Sequence, residues 1–128
     1  MTAATAAAVH PLWTERINNG NLDGLLALYE ADAAYVTAPR TSVTGTAAVR
    51  EALMGLLALL PTVTLEPLMV VEGNGVALLI SRWSLTGTGP DGKPVVFGGQ
   101  TADVVRQQAD GNWQFAVDNP FGDAAAGS

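Results

Sequence analysis

The hydrophobic period of this chain changes at Pro61. Before it, apolar residues recur at helical spacing; after it, segments rich in Val, Leu, Ile, Thr and Trp are cut by turn signals. Helices first and strands afterwards restrict the fold, because consecutive hairpins build one sheet and the helices must bury their apolar faces against it. The expected class is α+β, with a bent, antiparallel sheet wrapped around three N-terminal helices.

Val9, Leu12, Trp13 and Ile17 give the first helix, which starts or bends near His10-Pro11 and stops at Gly20. Asn21 caps a second, whose face carries Leu22, Leu25, Leu26, Leu28 and Tyr29 and which ends near Asp32. Ala34 to Ala38 read as a strand and Pro39 to Gly45 as a loop. Thr46 caps a third helix with Val49, Leu53, Leu56, Leu57 and Leu60 facing one way. Strands are expected over Thr62–Glu72, Val76–Thr86, Val95–Gln107 and Trp113–Asp118, with tight turns at Asn74-Gly75 and Asp110-Gly111. Pro67 calls for a bulge or an edge position. The strands are apolar on both faces, so one face is expected to hold a core or pocket and the other a partner subunit.

A length of 128 residues suits a single domain, with an ordered core over about 5–121 and a frayed tail at 123–128. Twelve acidic against six basic residues give a net charge of −6, the wrong sign for nucleic acid or an anionic membrane surface. With no cysteine and one histidine, disulfides, thiol chemistry and a clustered zinc site are excluded; no metal or cofactor is implied. The run Ala52 to Leu60 is too short to span a membrane, where ~18 apolar residues are needed, and Met1 to Val9 lacks the basic and apolar parts of a secretory signal. A cytoplasmic protein is expected. Gly87-Thr88-Gly89-Pro90-Asp91-Gly92 satisfies a G-x-G-x-x-G pattern, yet Lys93-Pro94 leads into a strand, so it reads as a hairpin loop without a dinucleotide.

The stretch Asn18-Asn19-Gly20-Asn21-Leu22-Asp23-Gly24-Leu25-Leu26-Ala27-Leu28-Tyr29, then Asp32-Ala33, then Val43-Thr44-Gly45-Thr46-Ala47-Ala48-Val49-Arg50, with the closing Asp118-Asn119-Pro120-Phe121-Gly122, resembles the SnoaL-like, ketosteroid-isomerase-like branch of the nuclear transport factor two-like superfamily. The resemblance implies a cone of curved sheet and three helices, an apolar cavity for a small molecule, and a homodimer. It does not settle function, since the fold hosts isomerases, cyclases, epoxide hydrolases and non-catalytic modules. Carried over by position, the isomerase tyrosine falls on Trp13, its base on Thr37 or Ala38, and its protonated acid on Ala102. Neither Thr nor Ala shuttles protons at neutral pH, which disfavours ketosteroid isomerisation itself.

Similarity to limonene-type epoxide hydrolases is partial. Tyr35-Val36-Thr37 resembles their Tyr-x-Asn pair, Arg82-Trp83-Ser84 their Arg-x-Asp pair, and Asp118 their last-strand aspartate. The expected catalytic residues are therefore Asp118, Arg82 and Tyr35, with Trp13, Thr37, Ser84, Gln100 and Ala102 binding substrate. Asp118 would stay an anion beside Arg82, and would be a proton donor in an apolar site away from it. Asp118-Asn119-Pro120 also reads as a strand-ending turn, and Arg82 as a strand residue whose head reaches solvent. Gln100 shares strand parity with Ala102, which puts Asp103 on the outer face; His10 reads as an exposed helix-start residue. Two functions follow: a cofactor-independent acid/base enzyme on an apolar organic molecule, of cyclase, isomerase or epoxide-hydrolase type, or a ligand-binding or dimerising module without turnover.

Overall fold

A computed structural model describes residues 2–123; the Ala/Gly/Ser tail expected to fray lies almost wholly outside them. A short 3-10 turn, Ala6–Ala8, leads into α1 (Val9–Asn18), followed by α2 (Leu22–Leu26), β1 (Tyr29–Ala38), β2 (Thr41–Thr44) and α3 (Thr46–Leu57). The remaining strands are β3 (Thr62–Gly73), β4 (Val76–Thr88), β5 (Pro94–Gln100), β6 (Asp103–Gln107) and β7 (Trp113–Asp118). Pro11 is accommodated in the first turn of α1, where its missing N–H is not needed. The Asn21 side chain caps α2 by accepting from Gly24 N at 2.9 Å, as expected. The α3 N-cap is Gly45 rather than Thr46, because the chain enters at φ 94°.

The sheet has seven strands in the order β2-β1-β7-β6-β4-β3, and β5 pairs the far half of β4. Four expectations change. The second helix ends early, since Tyr29 onward pairs with β7; the expected loop after Ala38 is β2, hairpinned onto β1 through Arg40 at φ 64°. The sheet is mixed rather than wholly antiparallel, because β1 runs parallel to β7. The long strand expected from Val95 to Gln107 is two, broken at Thr101-Ala102, where Thr101 N donates to Ser81 O at 2.8 Å and Ala102 N to Asn119 O at 2.9 Å. A bulge lies between Pro67 and Met69 on the edge strand β3, Asn74-Gly75 turns with both φ positive, and Gly89 to Gly92 close the β4–β5 hairpin.

The helices lie on the concave face. Val9 and Ile17 of α1, Leu25 of α2, and Val49 and Leu53 of α3 are fully buried against Leu79, Val105 and Phe115 of the sheet. Burying each such side chain contributes roughly 1.5–3 kcal/mol. The convex face keeps exposed Met69, Val71 and Val96.

Candidate active site

Between the concave face, α1 and α3 lies a cavity of about 490 Å³, within the roughly 300–1,000 Å³ of small-molecule sites. Leu56 of α3 and Leu59 just beyond its end face Trp83 and Leu85 of β4 across it, with Phe115 on its wall and half-exposed Phe97 at its rim. Its polar lining is His10, Trp13, Tyr35, Thr37, Thr101, Asp103 and Asp118; among the described residues no Lys or Arg contributes.

Asp118 reaches this wall through a bulge. Val104 pairs with Val117 but Val105 with Phe115, so Ala116 is an extra residue in β7. Phe115 and Asp118 therefore both face inward, where an unbroken strand would turn them to opposite faces. Asp118 lies opposite Tyr35 of β1. Its Oδ2 accepts a short hydrogen bond from the Tyr29 hydroxyl, which in turn accepts from Trp13 Nε1 at 2.9 Å.

Asp103 sits beside it, 1 % exposed. Its Oδ1 accepts from Asn119 N at 2.6 Å and its Oδ2 lies 2.6 Å from His10 Nε2; His10 Nδ1 lies 2.7 Å from Ser81 Oγ. An unbroken polar chain thus runs from Trp13 through Tyr29, Asp118, Asp103 and His10 to Ser81. Burial first, and the Asp103 charge second, hold the Asp118 carboxyl well above the ordinary carboxylate range, against the Tyr29 hydrogen bond that lowers it. Burial and the Asp118 charge likewise push the Tyr29 and Tyr35 phenols up. The Tyr35 ring lies 6.3 Å from that of Tyr29, tilted against it.

The structure gathers some of the expected residues and separates others. Asp118, Tyr35, Trp13 and Thr37 line the cavity. Arg82 does not: it lies on the convex face, where Nη1 donates to Glu66 Oε1 at 3.1 Å, more than half exposed. Ser84 is also outside, hydrogen-bonded to Thr64 Oγ1 at 2.6 Å. Gln100 and Ala102 do not line the cavity; Thr101 and Asp103 do. Ala102 and Asp103 are adjacent, so their side chains take opposite faces, and it is Asp103 that lines the cavity. Asp103 and His10, expected outside, are buried in the site. Sequence reasoning misses Tyr29 as a site residue because its spacing with Leu22, Leu25 and Leu26 also suits a helix face; a strand starting at Tyr29, whose parity matches Tyr35, is the signal that finds it. His10 carries no local signal, its partner being 93 residues away.

Among the described residues no group of three or more His, Asp or Glu side chains is arranged to hold a metal ion. Among the described residues no helix is long and apolar enough to cross a membrane.

A model of the SnoaL-like domain matches residues 12–115, and the chain belongs to that family. Its fold is that of the nuclear transport factor two-like superfamily. A superfamily member from Salmonella enterica serovar Typhimurium superposes with a TM-score of 0.79 at 16% identity, covering 94% of this chain and 89% of that one. A ketosteroid isomerase-like protein from Erwinia carotovora gives 0.77 at 20%, covering 88% of each. A conserved protein from Planctomyces limnophilus gives 0.78 at 18%, also covering 88% of each. No curated protein matches the chain.

Proposed function

We propose that this protein is a cofactor-independent enzyme that moves protons on an uncharged, oxygen-bearing apolar molecule in the cavity, by cyclase, isomerase or epoxide-hydrolase type chemistry. One observation carries the reading: a carboxyl kept well above its ordinary range, on an apolar wall, directly beside a second carboxyl that accepts from Asn119 N and meets His10 Nε2. Such a pair divides acid and base roles. Asp118 donates its proton to a ligand oxygen, the Asp103 carboxylate takes one from a neighbouring carbon or from water, and transfer between the two carboxyls restores the starting state. Tyr35 and Trp13 orient the ligand. The absence of any cationic lining residue and the carboxylate at the floor disfavour anionic substrates. The ketosteroid isomerase-like neighbour is consistent with proton-transfer chemistry on this fold.

The test is a mass-spectrometric screen of uncharged epoxides and polyketide-like hydroxyketones against the wild type and Asp118→Asn. Product from the wild type that falls sharply in the variant is the expected result. Tight binding with no product, insensitive to Asp118, would instead establish a ligand-binding module.

The second part of the reading is a homodimer through the convex face. Met69 lies opposite Ile80 and Val71 opposite Leu78, giving a strip of apolar pairs beside the Glu66–Arg82 ion pair. A twofold axis would lay this strip on its own copy. Sedimentation at micromolar concentration should give a dimer that Val71→Glu dissociates; a wild-type monomer would refute it.

A further inference from the structure

Ser81 is fully buried on the inner face of β4, behind His10 and away from the cavity lining. It has no access to a ligand, so its alignment with His10 and Asp103 is not a nucleophile's. Hydrogen accounting gives it another task. Its backbone N–H donates to Thr101 Oγ1 at 3.0 Å, and the Thr101 hydroxyl donates to Leu79 O at 3.3 Å. Among the described residues the Ser81 hydroxyl meets only His10 Nδ1. If Nδ1 carried a proton, the serine hydroxyl hydrogen would be buried without an acceptor, which is unfavourable. If only Nδ1 were protonated, the Nε2 lone pair would face Asp103 Oδ2 at 2.6 Å. One arrangement satisfies every group: serine O–H to Nδ1, and Nε2–H to Asp103.

We propose that Ser81 is a positioning residue, whose hydroxyl fixes His10 as the neutral Nε2–H tautomer and so keeps the charge of the neighbouring carboxyls on Asp103 and the proton on Asp118. Asp103 then receives two N–H donors, from His10 and Asn119, whereas among the described residues Asp118 receives the Tyr29 hydroxyl alone. The tautomer assignment is independent of turnover; its catalytic consequence rests on the acid/base reading above.

His10 is the chain's single histidine, so the imidazole nitrogens can be read without ambiguity by long-range 1H–15N NMR of the full chain at neutral pH. The wild type should give a pyrrole-type Nε2 and a hydrogen-bonded, pyridine-type Nδ1. Ser81→Ala should shift the Nδ1 resonance, and Ser81→Thr, which keeps a hydroxyl on Cβ, should restore it. A pyrrole-type Nδ1 in the wild type, or a Ser81→Ala spectrum identical to it, overturns the proposal; if the alanine variant does not fold, the wild-type and threonine spectra still decide. With a substrate in hand, Ser81→Ala should lower kcat on the order of 10- to 100-fold at unchanged KM, the scale of outer partners that orient an imidazole. Unaltered kcat alongside a shifted Nδ1 would sink the acid/base role and leave the tautomer standing.

Discussion

A carboxyl acts as an acid near neutral pH only if its surroundings penalise the anion more than they stabilise it. At Asp118 burial and Asp103 oppose the anion, and the hydrogen bond from Tyr29 is outweighed. Removing such a proton donor from its site costs about 10²–10⁴ in rate. Asp118→Asn should therefore lower kcat by that order while leaving KM little changed, because the amide keeps the shape and still accepts from Tyr29; steady-state kinetics checks the split. Asp118 and Tyr35 are picked out in the sequence by their resemblance to the epoxide-hydrolase pattern, whereas the bulge that turns Asp118 inward is not legible there. The place of Arg82 is not, because strand parity fixes which residues share a face but not which face is inside. Inward Ser81, Trp83 and Leu85 put Arg82 outside, where solvent and Glu66 satisfy it. This removes the cation that would have kept Asp118 an anion.

At the scale of elements, two irregularities shape the site: the extra residue Ala116 in β7 and the break at Thr101-Ala102 between β5 and β6. Neither has a sequence signature comparable to Pro67 or Asn74-Gly75, which is why that bulge and that turn are legible in the sequence and these are not. Helix α3 forms the cavity's other wall, and its glycine Gly55 is open to substitution, with nothing within 4 Å of the point a Cβ would occupy. Gly55→Ala should stabilise the protein by roughly 0.5–1 kcal/mol through helix propensity. The converse holds at Gly87, where a Cβ would lie 2.5 Å from the Leu59 carbonyl oxygen, the same atom that accepts from Thr88 N at 2.7 Å. Gly87→Ala should cost roughly 1–3 kcal/mol and detach the end of α3 from β4. Urea unfolding measures both.

For the whole molecule, the change of period at Pro61 is enough to give the α+β class, because helix and strand periodicities cannot be exchanged. The pairing of β1 parallel to β7 is not legible, since it joins segments from opposite ends of the chain. That pairing brings Tyr29 and Tyr35 against Asp118. It also links the site to global stability. A carboxyl raised on folding contributes stability that is fully present below its unfolded titration and is lost as pH rises through its folded one. The buried tyrosines act in the same sense at higher pH, so the wild type must be compared with a variant that retains them. The decisive measurement is the unfolding free energy of wild type and Asp118→Asn across a pH series. The wild type should lose stability relative to the variant as pH rises above the ordinary carboxylate range. A wild type that instead gains stability relative to Asp118→Asn over that range would mean that the fold stabilises the Asp118 anion, and would contradict its role as the proton donor.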